Sequence, residues 1–228
     1  PSIMPAIRPT LDQIELLTFD WDGTLFDSTA LIVHAIQNAV SDIGGVVPDK
    51  KQAAWVIGTV LGDAMAHLAA GISPAQQRLM QARYLYHYSQ MQDDLSLFSG
   101  ALEMLRGLKN QGFKLAVATG KSRRGLNEAL AHTELHDLFD STRTADETTG
   151  KPDPRMLHEI MDELDVPPER TVMIGDTTHD LQLAQNARTH SVAVSYGAHA
   201  LHEFEAFAPL ATVHDMAELQ RVLQSFKV

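Results

Sequence analysis

The chain has 228 residues, 44% of them hydrophobic and 21% charged, which places it with folded globular chains and excludes disordered or collagen-like ones. Its 18 Lys and Arg against 29 Asp and Glu leave a net charge of −11, so it lacks the basic footprint of a nucleic-acid or anionic-membrane binder. It has no cysteine, which removes disulfides, thiolate nucleophiles and Cys-ligated zinc. Residues Pro1 to Leu11 hold three prolines and no apolar signal-peptide core. No stretch approaches the ~20 apolar residues of a membrane span. The expectation is a soluble, cytoplasmic protein without nucleic-acid or membrane partners.

Taken in chain order, Ile14–Phe19 (IELLTF) is a short apolar run that stops at Asp20. It reads as a strand buried on both faces. From 27 to 97 no strand pattern appears. Leu31, Ala35, Ile36, Ala39, Val40 and Ile43 form a helical stripe ended by Gly44-Gly45. Lys50–Val56, Leu61–Ala70 and Pro74–Met91 read as three further helices, with Gly58, Gly62 and Gly71 at the breaks. Beyond them strand and helix alternate. The predicted helices are Gly100–Gln111, Ser122–Ala131, Pro154–Leu164, Thr178–Ala187 and Asp215–Phe226. The predicted strands are Lys114–Ala118, Thr171–Ile174 and Val192–Ser195. Such alternation predicts an α/β fold with a Rossmann-like parallel sheet and right-handed crossovers. The predicted division is an α/β core from 1–26 and 98–228, with an inserted all-helical domain from 27–97.

The carboxylates follow the strands. Asp20 and Asp22 end the first, Asp176 and Asp180 follow a later one, Thr119 and Lys121 follow another, and Lys151 lies in the loop Thr149-Gly150-Lys151-Pro152. Ligand sites in open α/β sheets form outside the carboxyl ends of the strands, so these groups are expected on one edge. Crowded carboxylates raise one another's pKa or recruit a cation. Hard oxygen donors without cysteine favour Mg²⁺, and Mg²⁺ with lysine and backbone N–H groups is suited to phosphoryl oxygens. A carboxylate can then attack phosphorus. Taken singly, each group also has a plainer reading: a polar turn at Asp20 and Asp22, a helix cap at Asp176, a solvated loop lysine at Lys151.

Asp20-Trp21-Asp22-Gly23-Thr24 resembles the first signature, D-x-D-G-T, of the haloacid-dehalogenase-like superfamily phosphatases. Thr119 resembles the second motif, Lys151-Pro152 the third, and Gly175-Asp176-Thr177-Thr178-His179-Asp180 the fourth, G-D-x-x-x-D. The resemblance implies a helical cap of the C1 type and a phosphatase similar to phosphoglycolate phosphatases, acting on a small phosphorylated metabolite. It implies Asp20 as nucleophile and Asp22 as general acid and base. It implies Mg²⁺ held by Asp20, the carbonyl of Asp22, and Asp176, with Asp180 in support. It further implies Thr119 and the Gly120 N–H on the phosphoryl group, and Lys151 neutralising charge. A phosphomutase of the β-phosphoglucomutase kind and a non-catalytic binding protein on the same scaffold are the alternatives.

Other signals are weaker. Gly120-Lys121-Ser122 lacks the leading glycine of a P-loop, because Leu115 stands there, and Lys121 reads as a solvated helix start. His132 and His136 lie one helical turn apart and read as a surface pair. His179 reads as a spacer. Trp55, Tyr84, Tyr86 and Tyr88 read as packing residues, and Gly58–Gly62 as a loop facing the site. Phe26–Ser28 and Leu97–Gly100 are the expected hinges, with Asp27-Ser28 capping the first inserted helix. Arg188 stands where relatives often carry glycine at a helix end.

Overall fold

The computed structural model describes residues 13–135 and 137–226. The readings of Pro1–Leu11 as lacking a signal core and of His136 as half of a surface pair lie outside the described residues. Among the described residues there are six strands: β1 (Leu16–Phe19), β2 (Lys114–Thr119), β3 (Ser141–Thr144), β4 (Thr171–Gly175), β5 (His190–Val194) and β6 (Ala211–Val213). They form one parallel sheet in the order β3-β2-β1-β4-β5-β6. Nine α-helices are described: α1 (Thr29–Asp42), α2 (Lys50–Trp55), α3 (Leu61–Leu68), α4 (Pro74–Met91), α5 (Ala101–Asn110), α6 (Arg123–Thr133), α7 (Arg155–Leu164), α8 (Thr178–Ala187) and α9 (Met216–Ser225). Among the described residues, no helix is long and apolar enough to cross a membrane.

Strand side chains alternate between faces, so a strand buried on both sides needs two helical layers. Leu17 and Phe19 pack with Leu105 and Leu108 of α5, Leu126 of α6, and Leu219 and Leu223 of α9. Leu16, Ala116 and Met173 face the other way, onto Leu157 and Ile160 of α7 and Leu183 and Ala184 of α8. The expected α/β Rossmann-like class is the observed one. The strands β1, β2, β4 and β5 fall on the apolar runs. The other two carry no such run: β3 reads STRT and is half-exposed at its middle, and β6 is three residues long. Both are edge strands, where one covered side removes the need for continuous hydrophobicity.

The helices α1 to α4 enclose their own apolar cluster, with Ile36, Ala39 and Val40 of α1 against Ala53, Met65 and Met80. Two of them start on reciprocal caps, Asp49 with Gln52 and Ser73 with Gln76, each satisfying otherwise orphaned N–H groups. The two connections to the sheet run side by side. Asp27 N donates to Ser96 O at 2.9 Å, and Phe98 N to Leu25 O at 2.9 Å. Ser28 occupies the N-cap of α1 but makes no side-chain cap bond. Its hydroxyl instead donates to Asp22 Oδ1 at 2.7 Å, which corrects the expected capping role.

Candidate active site

The chain leaves β1 toward one edge of the sheet and returns through β4 on the other side of β1. The strand order therefore reverses between β1 and β4, opening a crevice at their carboxyl ends. Asp20 and Asp22 leave β1 there, Asp176 leaves β4, and Thr119 ends β2. Asp180 sits in the first turn of α8, whose N-cap is Thr177. Because Thr177 takes the capping role, Asp176 is not needed for it. Asp176 instead accepts from Thr24 Oγ1 at 3.0 Å and from Ala198 N at 2.8 Å. Gly23 follows because φ is +80° and a Cβ there would overlap the Asp176 carboxylate.

Asp20, Asp176 and Asp180 are fully buried, and one carboxylate oxygen from each lies within 4.8 Å of the others. Lys151 lies beside them, 3.0 Å from Asp20 Oδ1 and 2.7 Å from Asp180 Oδ1, with its side chain wholly buried. Trp21 N donates to the same Asp20 Oδ1 at 2.7 Å, whereas Asp20 Oδ2 is buried with no hydrogen-bond partner. One lysine against three buried carboxylates leaves negative charge uncompensated. Burial, and then the charge of Asp180, push the Asp20 carboxyl well above the ordinary range, against the opposing pull of Lys151. Burial and Asp180 likewise push Asp176 up to about 7. Burial also pushes Asp180 up, but the Lys151 charge and bonds to its carboxylate outweigh that and hold it below the usual value. Lys151 is held fully charged: burial disfavours its ammonium, but Asp180 and Asp20 more than offset this.

The donor set suits a hard dication. It consists of carboxylate oxygens alone, one of them orphaned, in a site short of positive charge. Asp22 is placed differently. Its side chain accepts from Ser28 Oγ at 2.7 Å and from Lys121 Nζ at 3.3 Å, outside the three-carboxylate group. Its expected part in metal binding concerned the main-chain carbonyl, not this carboxyl.

A family model described as haloacid dehalogenase-like hydrolase matches residues 17–194. The chain belongs to the haloacid dehalogenase-like hydrolase family. Among its relatives, the pyrophosphatase PpaX of Bacillus mycoides is 29% identical over 213 residues, covering 92% of this chain and 97% of that protein. The probable phosphatase IndB of Dickeya dadantii is 31% identical over 211 residues, covering 90% of this chain and 91% of that protein. The crystal structure of a hydrolase from Pseudomonas syringae superposes with a TM-score of 0.85 at 23% identity, covering 95% of this chain and all of that one, a likeness of fold.

In this hydrolase the inserted helices lie directly over the carboxylates. Gly58, in the turn after α2, is where an added Cβ would lie 3.6 Å from Thr177 Oγ1 and 3.9 Å from Asp20 Oδ2. A Cβ on Gly120 would meet the Gly58 carbonyl oxygen at 2.6 Å, so glycine there lets the inserted loop rest on the β2 end. Asp20, Asp22, Thr119 and Gly120 open into a chamber of about 640 Å³ roofed by this insertion. The Gly58–Gly62 loop lines it, as do Tyr84 and Tyr88, which also pack into the helical cluster.

Two residues, Lys121 and His179, depart from their sequence readings, while Trp55 and Tyr86 pack on neighbouring side chains as read. Lys121 is not a solvated helix start. Its Nζ bonds Asp22 and, at 3.2 Å, the hydroxyl of Tyr88 on α4, linking core to insertion. Burial disfavours its charge, but Asp22 and the two tyrosines more than restore it. His179 is no idle spacer: its Nε2 lies 2.8 Å from the Trp55 carbonyl, which His199 Nε2 also reaches at 3.0 Å. Trp55 stacks on His67 with ring centres 4.8 Å apart and serves this seam rather than the chamber. Tyr86 is exposed on the surface and packs with His87 and Arg83. Ser28 and Lys121 carried only local signals in the sequence, and His199 carried none. Their partners lie 6, 99 and 144 residues away, and only the fold brings the latter two together. Arg188 does adopt the left-handed conformation expected of a helix end, with φ 62°, at a modest steric cost.

Proposed function

We propose that this hydrolase is a Mg²⁺-dependent phosphomonoesterase that cleaves a small phosphorylated metabolite through an aspartyl phosphate on Asp20. In this reading residues 1–26 and 98–228 form the catalytic core, and residues 27–97 the C1-type cap. The observation that carries it is the buried group Asp20, Asp176 and Asp180, one lysine deep, with an Asp20 oxygen that accepts no bond. The relatives, a pyrophosphatase and a probable phosphatase by name, support hydrolytic phosphoryl transfer as the type of reaction.

Asp20, the Asp22 carbonyl and Asp176 would hold Mg²⁺, with Asp180 in support, and the ion would neutralise charge on the phosphoryl oxygens and keep Asp20 ionised. Thr119 Oγ1 and the Gly120 N–H orient the phosphoryl group. An Asp20 carboxylate oxygen attacks phosphorus, the P–O bond to the substrate carbon skeleton breaks, and Asp22 gives its proton to the departing alkoxide. Water then attacks the same phosphorus, Asp22 takes its proton, and the bond to Asp20 breaks to release phosphate. Lys151 holds Asp20 Oδ1 in place and offsets charge throughout. Lys121 and Ser28 position the Asp22 carboxyl from two sides. The cap excludes bulk water during the first step.

The test is hydrolysis of phosphate esters by purified protein titrated with Mg²⁺ and by Asp20→Asn. Turnover is expected to require Mg²⁺ and to vanish in the variant. Undiminished turnover by pure Asp20→Asn protein would remove the reading.

A further inference from the structure

The chamber above Asp20 measures about 640 Å³, inside the range of roughly 300–1,000 Å³ typical of pockets that enclose drug-sized ligands. A two-carbon acid or pyrophosphate would leave most of it empty. The volume is not that of an opened lid. The Gly58 carbonyl lies against Gly120, Val60 Cγ2 occupies the space where a Cβ on Gly150 would go, and Lys121 bonds Tyr88 across the boundary.

The wall is divided by chemistry. Asp20, Asp22, Thr119 and Gly120 form the phosphoryl end, while Ile36, Val56, Val60, Met65 and Leu85 give the cap side its apolar surface, with the uncharged polar Thr59, Gln81, Ser89 and Gln92 beside them. Among the described lining residues, two carry positive charge. Lys121 is engaged by Asp22 and Tyr88. The Arg124 side chain is 90% exposed and pairs with Glu128 at 3.3 Å. Glu128 and Asp146 add negative charge to the same wall. A second anionic group, whether a carboxylate, a second phosphoryl group or the far phosphate that a sugar-phosphate mutase must hold, finds there only the solvent-exposed Arg124, on a wall that Glu128 and Asp146 leave net negative, and an exposed pair with that arginine is worth little.

We propose that the substrate is a phosphate monoester of an uncharged alcohol with an apolar, aliphatic or aromatic body. That body is seated against the cap side of the chamber, with Val60, Met65 and Leu85 setting the preference. This rests on the phosphomonoesterase reading and narrows its substrate class.

The experiment measures kcat/KM with Mg²⁺ for n-alkyl phosphates from methyl to octyl, beside phosphoglycolate and pyrophosphate. Unactivated alkyl esters share nearly the same leaving-group chemistry, so the dependence on chain length reports the chamber. The expected rise is ~2–4-fold per methylene over the first several carbons, as for burial of CH₂ groups. Phosphoglycolate and pyrophosphate should fall below butyl phosphate. Val60→Thr, which keeps the shape, and Leu85→Ser, at a half-exposed position, should make the rise shallower. In parallel, calorimetry with n-alkylphosphonates and Mg²⁺ reads the same dependence without turnover. A flat chain-length dependence in both series, or phosphoglycolate or pyrophosphate as the better substrate, overturns the inference. Phosphonate affinity that rises with chain length while no ester is hydrolysed supports the chamber's preference and overturns the catalytic reading instead.

Discussion

Replacing Lys151 with Met would remove one positive charge from beneath three buried carboxylates while keeping most of the side-chain volume. Its ammonium lies 3.0 Å from Asp20 and 2.7 Å from Asp180, and all three side chains are at most 2% exposed. Breaking a buried ion pair by deleting one partner costs ~3–5 kcal/mol, because the remaining charge stays desolvated. Lys109 provides the contrast. It pairs with Asp140 at 2.5 Å, but its side chain is 33% exposed, and such a pair is worth ~0–1 kcal/mol. The defect in Lys151→Met should depend on pH. Without the lysine, Asp180 loses the charge that holds its carboxyl low, so the folded variant binds protons beyond those the raised Asp20 and Asp176 already take up in the wild type. Its stability then falls more steeply as pH rises, and the defect is larger at about pH 8 than at about pH 5.5. The assay is urea unfolding with EDTA at both pH values, repeated with Mg²⁺. The ion should recover part of the loss by binding only the folded state. A defect no larger than that of Lys109→Met, or one independent of both pH and Mg²⁺, would refute this account of the site. Activity at saturating Mg²⁺ should fall ~10²–10³-fold, as for loss of a charge-stabilising donor.

Three further outcomes are expected. Mg²⁺ binding should release protons, because Asp20 lies well above its ordinary range and Asp176 near 7 in the metal-free protein. Affinity should therefore rise with pH through neutrality, which calorimetry in buffers of different ionisation enthalpy checks directly. Thr24→Val removes the 3.0 Å bond to Asp176 Oδ1 without changing shape, and should weaken Mg²⁺ ~10–100-fold in titrations while turnover persists at high Mg²⁺. Gly120→Ala places a methyl 2.6 Å from the Gly58 carbonyl oxygen. The ~1–3 kcal/mol of overpacking falls on the cap boundary, so hydrogen exchange should quicken at residues 56–60 and kcat/KM should drop, with little change in β1 and β4.

Much of this was legible in the residues. The apolar runs at β1, β2, β4 and β5 are strong because each strand is buried on both faces. The Asp and Thr that end them mark the crevice without any knowledge of side-chain contacts. The edges were not legible. Ser141–Thr144 forms a strand because Ala116 to Thr119 offers it an open ladder, a partner 25 residues away, and its own composition does not ask for one. The supporting residues of the site were hidden for a similar reason. Lys121 reads locally as the start of a helix. Its meaning lies in Asp22 and Tyr88, which come from β1 and from α4. Ser28 carried a sound local signal for capping, and a stronger partner, the Asp22 carboxylate, took its hydroxyl instead.

The central claim is that Asp20 itself carries the phosphoryl group. It is tested most directly by mixing protein, Mg²⁺ and an alkyl phosphate, quenching in acid within one turnover, and locating the added phosphoryl mass by peptide mass spectrometry. The prediction is a modification on the peptide bearing Phe19-Asp20-Trp21, absent in Asp20→Asn and sharply reduced in Asp22→Asn, which lacks the acid that protonates the departing alkoxide in the first step. Phosphate released at the wild-type rate with no label on Asp20, or a label on another residue, would contradict it.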